Sequence, residues 1–194
     1  GNTKVYIDNV MVEEIDALLG AAVAGTDQVI DGTFELPVLA FEDSAWVAWT
    51  GDEWSGYTSS TVTIVNGELV VDVIFEGTPQ AYATQVYQEG FAVENGKFYR
   101  ITFDAYADVA KAINVAFGDA LDADPYFIEY VTKTAFDLTT AKQTFVLEFE
   151  MTEVTTTDQG KLVFEFATAG NTKVYIDNVM VEEIDALLGA AVAG

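Results

Sequence analysis

The chain predicts an all-β fold: an antiparallel two-sheet β-sandwich of the jelly-roll kind, with a short helical or flexible connector after the terminal strand. Three observations predict it. About ten short segments alternate apolar and polar residues, and turn signals separate them roughly every 8 to 15 residues. The body carries no convincing helical periodicity. Segments apolar on both sides, which a buried parallel sheet would need, are absent.

Residues 1–25, GNTKVYIDNVMVEEIDALLGAAVAG, recur letter for letter as residues 170–194, a repeat period of 169. This divides the chain into a duplicated terminal strand and linker of a preceding repeat (1–25), one body (26–186) and a linker (187–194). Within the copy, Val5 to Val12 is β-branched and alternating, hence a strand. Ile15, Leu18, Leu19, Ala22 and Val23 then follow a helical spacing, which suits a short sticky helix or a flexible Ala/Gly linker. The body offers one slot for the strand and the chain supplies it twice. The spare copy must be disordered, paired at another edge or inserted into a neighbour.

The body opens with TDQVIDGTFELP, punctuated by Gly32 and Pro37. FEDSAWVAWTGDEWSGY reads as irregular and holds Trp46, Trp49, Trp54 and Tyr57, either a core plug or an exposed platform. From there the pattern is all β. Alternation on both sides of Asn66-Gly67 marks a hairpin. The further strands are AYATQVYQ, KFYRITFDAYA, AINVAFG, PYFIEYVT, QTFVLEFEM, KLVFEFA and the second TKVYIDNVMV. In QTFVLEFEM, Phe145, Leu147, Phe149 and Met151 point one way and Val146, Glu148 and Glu150 the other.

With 51% hydrophobic residues, including 13 Phe and 9 Tyr, the body can fill a sizeable core. The 32 Asp+Glu against 8 Lys+Arg give a net charge of −24, which repels nucleic-acid backbones and anionic lipid but welcomes divalent cations. There is no cysteine for disulfides or thiolate chemistry and no histidine for general-base work. The longest apolar run is too short for membrane insertion. Glu148 and Glu150 stand about 7 Å apart on one strand face, a separation glycosidases use. So acidic a chain produces such pairs by chance, and no enzyme is expected.

DGTFE (31–35), Trp46 and Trp49, VNGELVVDV (65–73), QVYQEG (85–90), GKFYRITFDAYA (96–107) and VYIDNVMVEE (174–183) occur in an order that resembles non-catalytic carbohydrate-binding modules of families 4, 9, 16 and 22. The resemblance implies a jelly roll whose concave sheet binds a β-glucan-like polysaccharide outside the cell or at its surface. Aromatic rings would stack on sugar faces while amides bond hydroxyls. It assigns Trp46 to the core and makes Trp49, Trp54 and Tyr57 ring contributors. Tyr82 stands where the family often has Trp. Gln85 and Gln88 match family glutamines, and alternation puts Gln85 with Tyr87 on one face and Gln88 on the other. Tyr126 and Phe127 are second-side clamps. The resemblance further implies a structural Ca2+ held by Glu35 and Asp177 with carbonyls near Gly32, an all-oxygen set that suits this ion.

Two functions follow. One is non-catalytic glycan binding. The other is a structural repeat of a surface fibre or adhesin, in which identical repeats join head to tail by strand complementation.

Overall fold

Asn66 and Gly67 both take left-handed backbone conformations, with φ of 53° and 77°, as the tight turn between two alternating strands requires. The structure, a computed structural model, describes residues 27–34 and 41–187. Ten strands make it: β1 Val47–Trp49, β2 Thr61–Val65, β3 Glu68–Val73, β4 Gln85–Val93, β5 Phe98–Ala107, β6 Lys111–Ala120, β7 Phe127–Leu138, β8 Gln143–Glu150, β9 Thr156–Glu165 and β10 Thr172–Ile184. They form two five-stranded antiparallel sheets, β1-β4-β9-β6-β7 and β2-β3-β10-β5-β8, packed as the expected β-sandwich. The only helical elements among the described residues are three short 3-10 turns, and none is long and apolar enough to cross a membrane.

Several boundaries differ from the sequence reading: β4 runs on to Val93, β9 begins at Thr156 ahead of KLVFEFA, and β10 runs on to Ile184. Ala81–Ala83 is a 3-10 turn, so the strand expected over AYATQVYQ begins at Gln85. The segment read as irregular contains the three-residue β1, recruited by pairing with β4 rather than by its own pattern. β7 continues past Thr132 to Leu138. Residues 1–26, the first copy among them, and Glu35 lie outside the described residues.

β10 fills the slot between β3 and β5. Its register shifts between Asp177 and Met180, where Asn178 takes a φ of 51° that asparagine tolerates well. The bulge flips the alternation, so Val174 and Ile176 before it and Val179 and Val181 after it all reach the core. At the bulge the backbone of residues 27–32 joins the sheet: Gln28 N donates to Val181 O at 3.0 Å and Val179 N to Gly32 O at 2.9 Å. Gly32 must lack a side chain, because a Cβ there would stand 2.0 Å from Val179 O.

Aromatic rings lock the sheets together. Phe103 of β5 lies 5.3 Å from Phe136 and from Phe145 and 5.2 Å from Phe164, so it touches rings of both sheets. Trp46 is 3% exposed and packs on Phe34 and Phe164, as the core role assigned to it requires. Phe149 and Met151 are buried beside Phe145 and Leu147, and Val146 faces out, as alternation predicted. Phe103→Ala should cost about 3–5 kcal/mol, read as a lower urea midpoint at unchanged slope.

On the outer face of the second sheet, Tyr106 and Tyr175 stack at 4.4 Å with rings 5° from parallel. Lys142 Nζ bridges Glu68 at 2.7 Å and Asp177 at 2.9 Å, and the Tyr106 hydroxyl donates to Glu68 at 2.9 Å. Burial first, then the Glu68 hydrogen bond, pushes the Tyr106 phenol up to about 12 from 10.0. A phenol whose pKa is raised on folding stabilises the fold below its unfolded value and loses that contribution as pH climbs through the folded one. Stability should therefore fall between pH 10 and about 12. Tyr106→Phe should flatten that part of the profile in denaturant titrations at stepped pH.

Candidate functional site

The outer face of the first sheet collects side chains that are far apart in sequence. Alternation along β4 turns Val86 and Gln88 inward and Gln85, Tyr87 and Glu89 outward. The registers carry each outward residue across the sheet. One row runs Trp49, Gln85, Glu165, Asn114, Ala135. The next runs Val47, Tyr87, Val163, Ala116, and a third Glu89, Lys161, Gly118, Glu129.

Val163, Ala116 and Gly118 make a floor of small side chains between taller neighbours. Val163 and Ala116 are 3% and 1% exposed yet stand outside the central core cluster, because the flanking rows shield them. Gly118 is needed here: a Cβ would meet Ile128 O at 2.1 Å and the Phe127 ring at 2.8 Å. Its absence lets Phe127 lie against β6. Aromatic groups stand at the sides. Trp49 stacks on Tyr82 at 6.3 Å and 21° on the β1 edge, and Tyr87 stands on β4. The face is a shallow groove with an apolar floor, polar rows and ring walls.

Polar groups in the groove hold one another in place. Glu165 is 4% exposed and takes Lys133 Nζ at 2.7 Å and Asn114 Nδ2 at 3.4 Å. Lys161 Nζ sits 3.6 Å from the Tyr87 ring centroid and 2.9 Å from Glu89. Burial, followed by the Glu89 charge, raises the Tyr87 phenol above its ordinary value. Each groove lysine has an acidic partner, so its donors can be shared with a hydroxyl while the local charge stays balanced.

The expected site residues distribute unevenly over this surface. Trp49, Tyr82 and Gln85 gather at one corner, where Gln85 Nε2 donates to Tyr82 O at 2.9 Å. Trp54 and Tyr57 stand in the adjoining loop, 83% and 71% exposed. That loop is firmly built. The Asp52 carboxylate accepts from Ser55 N at 2.9 Å, Ser55 Oγ at 2.9 Å and Trp54 N at 3.0 Å, and the Ser55 bonds hold it below the usual carboxylate range. Gln80 N donates to Ser55 O at 2.8 Å, tying the loop to the segment that carries Tyr82. Tyr126, 63% exposed, sits beyond the start of β7 at the opposite corner, roughly 30 Å from Trp49 on ordinary strand spacing. Gln88 faces inward instead, bonding Ile30 O and Ile30 N at 2.8 Å each. Tyr87, Asn114, Lys133, Lys161 and Glu165 were not among the expected ligand contacts. Only the alternation that pairs Tyr87 with Gln85 pointed to any of them.

A carbohydrate binding domain model, CBM_4_9, matches residues 26–171. The chain belongs to this family. Its members are binding modules and not enzymes. The Glu148 and Glu150 pair stands away from the groove, since β8 belongs to the other sheet, where Glu148 lies 3.9 Å from Arg100. A solved CBM4 domain shares 25% identity and a TM-score of 0.64, covering 79% of this chain and 97% of its own. The N-terminal cellulose-binding domain of Cellulomonas fimi β-1,4-glucanase C is 20% identical, with a TM-score of 0.52, over 74% of this chain and 91% of that one. The CBM22-1 xylan-binding domain of Paenibacillus barcinonensis Xyn10C is 12% identical, with a TM-score of 0.53, over 86% and 99%. These two show likeness of fold. No protein of curated function matches this carbohydrate-binding chain.

The calcium expected at Glu35 and Asp177 meets a mixed donor set. Asp177 Oδ2 is held by Lys142 at 2.9 Å and Oδ1 by Asn178 N at 2.8 Å, both on the outer face of the second sheet. The Gly32 carbonyl accepts from Val179 N. Beside them, Asp27, Asp31, Gly32, Thr33 and Asn178, together with the apolar Val29, Val179 and Met180, line a hollow of about 320 Å³, and among the described residues no group of three or more acidic side chains comes together to hold a metal ion. One Asp31 carboxylate oxygen is buried there with no hydrogen-bond partner, and burial raises the Asp31 carboxyl above its ordinary value. Hard oxygen donors around an uncompensated carboxylate suit a hard cation. Asp31 Oδ1 has no hydrogen-bond partner, whereas the Asp177 carboxylate is already held by Lys142 and Asn178 N.

Proposed function

We propose that the groove of the first sheet binds a neutral, β-glucan-like polysaccharide outside the cell or at its surface. The observation that carries this reading is the row Trp49, Gln85, Glu165, Asn114, which places an aromatic pair and fixed amide and carboxylate groups in line across the strands. A pyranose ring has apolar C–H faces for the rings and equatorial hydroxyls for the polar row. Trp54 and Tyr57 extend the wall beyond the sheet edge and Tyr126 offers a contact at the far corner. The relatives described as cellulose- and xylan-binding support the substrate class. Pairing of both groove lysines with acids favours a neutral chain over an anionic one. Titration calorimetry with cello-oligosaccharides, laminarin, xylan and mannan should show binding to at least one. Trp49→Ala should weaken it about tenfold, the loss of one stacking contact worth about 1.4 kcal/mol. Absence of binding to all four at millimolar sugar refutes the reading.

The same reading includes a structural calcium at the Asp31 hollow. Added Ca2+ should raise the melting temperature, EDTA should reverse the rise, and Asp31→Asn should abolish the difference.

The interior position of β10 favours a second role, that of a repeat joined head to tail to identical neighbours, because the duplicated segment is the central strand of its sheet, with two strands on either side.

A further inference from the structure

β10 is bordered by β3 on one side and β5 on the other. Val174, Ile176, Val179, Val181 and Ile184 are each at most 2% exposed, and Ile176 lies between Leu69 and Ala105. Val5, Ile7, Val10, Val12 and Ile15 occupy the same places in the first copy, and every intervening residue is the same as well. A strand is held by its side chains and backbone bonds, and both are identical here. The slot cannot discriminate between the copies by any contact within it.

Discrimination can come only from the tethers, and the geometry leaves both open. The body begins against the far end of the slot. Asp27 Oδ1 accepts from Val181 N at 3.2 Å and Gln28 N donates to Val181 O. A strand in the slot that ended at Ile15 would finish where Ile184 now stands, about 10 Å along the strand from Val181. Residues 16–26 can span up to about 36 Å, well over the gap. The second copy is tethered from the other side through Phe166 to Asn171, at the near end of the slot. The closure cost of a tether grows slowly with its length, so neither attachment is strongly preferred.

We propose that the β10 slot is shared. The first copy can take it in place of the second, either in its own body or in that of another molecule, so a repeat boundary has two interchangeable strand assignments. When the first copy closes its own body, residues 172–184 are released as a donor strand that fits the empty slot of a second copy of this chain. The inference rests on sequence identity and on the surroundings of β10. It stands or falls independently of the glycan reading.

Full-length variants test it. Ile176→Asp puts an uncompensated charge at the centre of the core and disqualifies the second copy. Ile7→Asp does the same to the first. Ile176→Asp alone should keep a cooperative thermal transition and a β-sheet circular dichroism spectrum, because the first copy replaces the damaged strand. The Ile7→Asp/Ile176→Asp double variant should lose both. Size-exclusion chromatography with light scattering then separates insertion in the same body (monomer) from insertion in a neighbour (dimer or longer), and either supports the proposal. If Ile176→Asp and the double variant behave alike, both folded or both unfolded, the slot is not shared and the proposal is wrong.

Discussion

The contact on which the molecule depends is Phe103 wedged among rings of both sheets. Phe145 belongs to its own sheet, Phe136 and Phe164 to the other, and all three centroids lie within 5.3 Å. Interiors this close to crystal density leave no freedom to slide one sheet over the other by a residue. A slip by one position would also turn every inward side chain outward. Once Phe164 is pinned inward, Val163 and Glu165 must face out, and the registers to β4 and β6 then place them beside Tyr87, Gln85, Asn114 and Ala116. The groove is thus the reverse side of the core.

Charge on that reverse side is arranged against the trend of the molecule. The chain holds 32 acids and 8 bases, yet Lys133 and Lys161 both stand in the groove, each held by a carboxylate within 2.9 Å. The Lys161–Glu89 pair, half open to water at Glu89, adds little to stability, and the gain from the more buried Lys133–Glu165 pair is offset by desolvation. Their effect is positional: they fix the Tyr87 ring and the Glu165 carboxylate before any ligand arrives, so less side-chain freedom is lost on binding.

Most of the fold was legible because alternation is a local signal. Asn66-Gly67, the inward set Phe149 and Met151, and the buried Trp46 all followed from short windows or from motifs. β1 escaped because three residues cannot display a period, and its pairing with β4 is imposed from outside. Ala81–Ala83 looked like a strand because its letters continue the pattern of Gln85–Val93. The groove was half legible. Trp49, Tyr82 and Gln85 were singled out and stand together, but Asn114, Lys133 and Glu165 join them only through registers between strands distant in sequence. No window of the chain contains that information.

The antiparallel seam between residues 27–32 and β10 has a mechanical consequence. Asp27 lies beside Val181, and β10 ends three residues further on at Ile184, so the two points lie at one end of the sheet. A pull on the chain at Asp27 would load that seam by peeling, one bond at a time, and would reach the first sheet through the Gln88 clasp on Ile30. The seam is therefore the part of the fold most exposed to a pull on the chain at Asp27, and the side chains of the first sheet lie behind it.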